Sequence, residues 1–187
     1  MQYKLNSLQS IVGRLELFPE TVPSHTSQSQ PTITKLAEGS EANIFIVHGH
    51  DNELKEQTAR LVSDLGLKPI ILHEQENKGQ TLIEKLESNA NKSSFAIVLL
   101  TPDDYGYSVE DGLEKARPRA RQNVVLELGY FIGKLGRSRT CALYKGVDAP
   151  TDFDGVVYTP ADEAQAWRYT VAKELKAAGY KIDMNKL

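Results

Sequence analysis

Glu127 lies in Asn123-Val124-Val125-Leu126-Glu127-Leu128-Gly129-Tyr130-Phe131-Ile132-Gly133, a mostly apolar run in which it is the one acid. A helix that is apolar all round is normally buried. A carboxylate inside it costs free energy unless it is paired or used. Burial would raise its pKa, a feature common at functional sites. The plainer alternative is a helix with one narrow exposed edge, where Glu127 faces water beside Lys134 and Asn123. The second candidate is His48-Gly49-His50-Asp51. Gly49 would permit a tight turn or the close approach of a ligand. Backbone N–H groups of the following helix could hold a phosphate. Alternatively, the histidines satisfy loop backbone groups and Asp51 only caps that helix.

Arg117, Arg119 and Arg121, around Pro118, form a small basic cluster ahead of Glu127. It could receive phosphates, pair with Asp103 and Asp104, or stand as an ordinary solvated surface. A metal at His48 and His50, with Asp51 or His73, has no CxxC or HExxH spacing behind it. We therefore expect no metal site. No Ser-His-Asp arrangement, dinucleotide fingerprint or Walker lysine is present. Cys141 reads as a buried small hydrophobe, and Trp167 as core. Close helix packing is the plain reading of Gly129 and Gly133.

These groups need a frame. Asn43–Val47 is an apolar run with both faces greasy, as in a central parallel strand. Further strands are expected at Lys68–Leu72, Phe95–Leu100, Thr140–Tyr144 and Val156–Tyr158. Pro69 suits an edge or a strand start, and the first and third strands should be internal. Helices should fill 52–65, 82–89, 122–135 and 162–178. The second of these carries a Thr81/Glu84 capping box and should bury Leu82, Ile83, Leu86 and Ala90. Ala164, Trp167, Val171, Leu175 and Ala178 should form the last helix's inward face. Residues 101–119 read as a long irregular connection, a kind of loop that is often functional. Alternating strands and helices imply a doubly wound α/β sheet with helices on both faces. Sites in such sheets gather at the C-terminal ends of the strands. Ahead of this domain, residues 5–15 read as a short amphipathic helix and 19–40 as a Pro/Ser/Thr/Gln linker. The expected division is 1–41 and 42–187.

The chain has 187 residues, one cysteine and a net charge of −3. That charge implies no strong attraction to nucleic acid or an anionic membrane. One cysteine supplies no disulfide framework. The N-terminus lacks the apolar core of a secretory signal, so a cytoplasmic setting is expected.

Four ordered stretches carry a resemblance: Phe45–Asp51, Pro69–Gln75, Val98–Asp104 and Arg117–Tyr130. Together they resemble the bacterial TIR-like domains, relatives of the Toll/interleukin-1 receptor domain, over about residues 42–183. The resemblance implies a flavodoxin-like fold with a five-stranded parallel sheet. It implies that Glu127 matches the catalytic glutamate of NAD-cleaving members. The nucleotide contacts expected are His48, Gly49, His50, Asp51, Asp103, Tyr105, Arg119, Arg121 and Asn123. The function expected is NAD glycohydrolysis, giving nicotinamide and ADP-ribose or a cyclic form, with NAD+ as substrate and no cofactor required. Self-association through the loop His73–Gly79, a role in antiphage defence and a triggering sensor protein are further implications. The first 41 residues are too few for a separate sensing domain, so the helix at 5–15 is the expected handle. The alternative is a nucleotide-binding or protein-interaction module without turnover.

Overall fold

The computed structural model describes residues 42–75, 79, 81–150 and 155–187, apart from the side chain of His73. The expected N-terminal helix, the linker and the middle of the His73–Gly79 loop lie outside the described residues.

In chain order the elements are β1 (Asn43–Val47), α1 (Asn52–Asp64), β2 (Lys68–Ile71), α2 (Leu82–Ala90), β3 (Phe95–Leu100), β4 (Asp104–Gly106), β5 (Arg117–Arg119), α3 (Gln122–Leu135), β6 (Thr140–Tyr144), β7 (Val157–Pro160) and α4 (Trp167–Ala177). Five strands form one parallel sheet in the order β2-β1-β3-β6-β7. This is the flavodoxin-like order. β1 and β3 are internal, and Pro69 sits on the edge strand β2.

Alternation along the strands divides the core in two. Ile44, Ile46, Ile97 and Leu99 pack with Leu61, Trp167 and Leu175 on one face. Phe45, Val47, Val98 and Leu100 pack with Leu86, Val124, Leu128 and Phe131 on the other. Cys141 and Trp167 are buried. Burial pushes the Cys141 thiol up to about 12, so it is inert as a nucleophile at neutral pH.

Local signals behave as expected at two helix starts. Leu54 N–H donates to Asp51 Oδ1 at 2.9 Å, and Thr81 with Glu84 closes a reciprocal capping box. Five expectations are corrected. The connection after β3 is not irregular throughout. β4 and β5 pair antiparallel, with Gly106 opposite Arg117 and Asp104 opposite Arg119. The last helix begins at Trp167, because Asp162 Oδ1 takes the Ala166 N–H and Gln165 sits at φ 57°, a conformation no helix continues through. Ala164 is exposed there and belongs to no inward face. The final strand is displaced to 157–160. Gly129 and Gly133 make no close packing among the described residues, where a Cβ at either position would meet nothing within 4 Å. Finally, α2 turns Lys85, Leu86, Asn89 and Ala90 inward, leaving Leu82 and Ile83 62% and 56% exposed. The residues after Gly179, which carry little pattern, also contribute to the core. Tyr180 is buried edge-on against Phe95.

Candidate functional site

α3 begins at the C-terminal rim of the sheet and packs back across it. At 3.6 residues per turn, Val124, Leu128 and Phe131 fall on one stripe, and all three are buried. Phe131 lies against Phe45 with ring centroids 4.7 Å apart. Asn123, Glu127 and Tyr130 therefore fall on one flank of that stripe, and Gln122 and Val125 on the other. The helix is not buried all round, because Leu126 is 72% exposed.

Glu127 is half-buried. It lines a small recess of about 80 Å³ with Val47, His48, Leu72, Arg121 and Asn123. The recess neighbours a wider cleft of about 520 Å³ between α2 and α3. Thr81, Leu82, Ile83, Leu86, Leu126 and Tyr130 are its walls, and Asn123 and Glu127 line it too. The outward-facing Leu82 and Ile83 thus form a wall of the cleft. Burial pushes the Glu127 carboxyl up to about 7, against the pull of the Arg121 guanidinium. Near neutrality this group is poised between its two protonation states, as a proton-handling or charge-stabilising carboxylate should be.

The structure gathers part of the sequence-predicted set. His48, Arg121 and Asn123 join Glu127 in the recess. His48 Nδ1 lies 2.8 Å from the Gly49 carbonyl oxygen, so that nitrogen donates to it. Gly49, His50, Asp51 and Asp103 do not line the recess but build the turn beside it. The Asp103 carboxylate is almost wholly buried. It accepts the His50 backbone N–H at 2.7 Å and the Thr101 hydroxyl at 3.1 Å. A Cβ at residue 49 would lie 1.8 Å from Asp103 Oδ2. Gly49 is there for this close approach. In doubly wound sheets the crevice where the strand order reverses is the usual ligand position. Here a carboxylate of the chain itself ties the ends of β1 and β3 together, and the recess sits beside it under α3.

Asp51 accepts from Leu54 N–H and from Lys145 Nζ, the latter at 2.9 Å. Burial pushes its carboxyl up, but those two partners outweigh it and hold it below the ordinary value. Tyr105 is 73% exposed, and Arg119 lies on the far flank of α3, in a different cleft. Arg117 faces Asp148 at 3.7 Å, not Asp103 or Asp104. Among the described residues no group of three or more His, Cys, Asp and Glu is placed to hold a metal ion. No described helix is long and apolar enough to cross a membrane.

Sequence reasoning did not find the apolar walls. Leu82 and Ile83 read as ordinary core positions, and Tyr130 is given no role. The signal available was two adjacent leucine-type residues at the start of a short helix, more than one inward stripe can bury.

Comparison with known proteins places this geometry in a family. A family model described as the TIR domain of CAP12/Pycsar effector proteins matches residues 43–163. The chain is 49% identical over 144 residues to the uncharacterized protein YuaY of Escherichia coli (strain K12), covering 76% of this chain and 48% of that protein. It is 41% identical over 126 residues to the protein tirC of Dictyostelium discoideum, 62% of each chain. It is 39% identical over 80 residues to the Pycsar effector protein PaPycTIR of Pseudomonas aeruginosa, 41% of this chain and 25% of that protein. The chain thus spans less than two thirds of each of these relatives.

Proposed function

This chain belongs to the TIR domain family of CAP12/Pycsar effector proteins, and from that premise we propose that it cleaves the nicotinamide–ribose bond of NAD+, with Glu127 as the catalytic group. The observation that carries this reading is a single half-buried carboxylate, its pKa raised to about 7, at the edge of a cleft under α3.

The chemistry asks for little more. Nicotinamide leaves readily because departure neutralises its ring nitrogen, so no general acid is required. The ribose passes through an oxocarbenium-like state, and the ionised Glu127 carboxylate stabilises that charge and holds ribose hydroxyls. Attack by water yields ADP-ribose and a proton, which the carboxylate can accept. Attack by an internal nucleophile of the same substrate yields a cyclic product. Arg121 offers its charge to the pyrophosphate. Asn123 offers an amide to the sugar. The apolar walls, Leu82, Ile83 and Tyr130, exclude water from the leaving group.

Within this reading the loop His73–Gly79 is the surface of self-association, and assembly regulates turnover. A cytoplasmic antiphage role, with a sensor protein as trigger, completes the proposal. A second reading, a nucleotide-binding or protein-interaction module, rests on the exposed Leu82, Ile83 and Leu126, an apolar rim that a partner could cover.

The deciding experiment incubates concentrated protein with NAD+ and follows nicotinamide and ADP-ribose by chromatography. Turnover that is lost in Glu127→Gln supports the enzyme. Equal turnover in both proteins, or none at any concentration, transfers the weight to the second reading.

A further inference from the structure

A second cleft opens on the other flank of α3. Its floor is Leu100 and Ala120, both buried. Tyr144, at the end of β6, and Val125 and Val147 form its walls, and Arg119 stands at its rim. It encloses about 1000 Å³, the upper end of the roughly 300–1,000 Å³ typical of small-molecule sites. None of its wall residues lines the Glu127 recess.

The exposed Arg119 side chain passes over the hairpin. A Cβ at Gly106 would lie 2.6 Å from Arg119 Cδ and 3.0 Å from its Nε. The arginine stem thus lies across the glycine, and a larger residue at 106 would push it aside. Among the described residues the Arg119 side chain has no hydrogen-bond or ion-pair partner. The neighbouring cations differ: Arg117 faces Asp148 and Lys145 holds Asp51. One guanidinium is left over at the mouth of a cleft with an apolar floor and an aromatic wall, whose rim also carries Asp148, the partner of Arg117.

We infer that this cleft binds a nucleoside monophosphate, with the phosphate on Arg119 and the base between Tyr144, Val125 and Val147. A guanidinium matches a phosphate in two-point geometry. A nucleobase offers a planar face to an aromatic side chain, and the exposed Gln122 amide, also on the rim, can donate to or accept from its edge. This site does not depend on whether NAD+ is cleaved, and its ligand would touch the same helix turn that carries Glu127 from the opposite side.

Equilibrium binding to the full chain tests it, with AMP as the probe and adenosine and inorganic phosphate as separate arms. The expected result is saturable AMP binding, weaker for either fragment alone. Arg119→Ala should weaken AMP binding by about tenfold or more, the loss of a charge-assisted contact. Gln122→Ala should weaken it less. Both side chains are exposed, so neither change threatens folding. Glu127→Gln and Arg121→Ala should leave AMP affinity within about twofold. No saturable binding at millimolar AMP overturns the inference. So does binding indifferent to Arg119→Ala, and so does binding lost in Glu127→Gln, which would place AMP in the other cleft.

Discussion

The two flanks of α3 treat charge in opposite ways. On one, Glu127 is drawn under the helix against Val47 and Leu72, and desolvation raises its pKa to about 7. On the other, Arg119 stays in solvent, its stem passing over a glycine across a hairpin. The first arrangement costs stability and makes a reactive group. The second costs little and makes a waiting one. Glu127 owes its environment to its angle on α3, set by 3.6 residues per turn, whereas Arg119 owes its own to the β5 strand ahead of that helix.

The contrast breaks most visibly at Glu127. Glu127→Gln should lower nicotinamide release by about a hundredfold or more, the scale of losing a main electrostatic stabiliser, read by chromatography. Arg119→Ala should leave release within about twofold if the flanks are independent. A matching loss would merge the two clefts into one site.

The turn between them comes next. Gly49→Ala should destabilise the protein by about 1–3 kcal/mol, the usual cost of overpacking, seen as a lower urea midpoint. Adding Asp103→Ala should recover part of that loss, since the clashing carboxylate is then gone. Strict additivity of the two changes would refute the proposed contact.

The raised pKa of Glu127 has a stability consequence of definite sign. The folded state holds this proton more tightly than an unfolded chain, whose glutamates titrate near the ordinary value of 4.5. The burial penalty is therefore absent below that value, grows between 4.5 and about 7, and is complete above. Glu127→Gln should raise Tm at pH 8 by about 2–4 °C, the shift that 1 kcal/mol gives a chain of this size. The difference should vanish near pH 4. Turnover should rise with pH through about 7 as the carboxylate ionises. A flat pH profile would mean that the group is already ionised.

Smallest of all should be Tyr105→Ser. This exposed ring touches neither cleft, so stability should hold within about 0.5 kcal/mol and turnover within about twofold. A larger effect in assembled protein alone would assign the ring to an interface.

Much of the frame was legible in advance. Five strands and their parallel pairing follow from continuous apolar runs broken by helical spacing, while Pro69 leaves Lys68–Ile71 open between an edge and a mere strand start, and the sheet puts it at the edge. The caps at Asp51 and Thr81 follow from local hydrogen-bond chemistry. The hairpin at 104–119 was not legible, because three-residue strands carry too little alternation and Gly106 and Pro118 argue against them. The start of the last helix was missed for a similar reason, since one side-chain bond from Asp162 and one left-handed residue, Gln165, outweigh helical spacing. Leu82 and Ile83 were assigned to the core because apolar residues usually are. Their exposure is a property of how α2 meets the sheet.

The sequence by itself determined which residues could do chemistry and the alternation that lays down a parallel sheet, because periodicity and residue type are local properties. Only the tertiary structure decided which of them meet. Glu127, His48, Arg121 and Asn123 converge on one recess, while Asp103 is consumed in tying two strand ends and Arg119 is turned to the far flank. The physical reason is that desolvation and contact depend on the angle at which a helix is set down on its sheet, and that angle is chosen by the packing of the whole core.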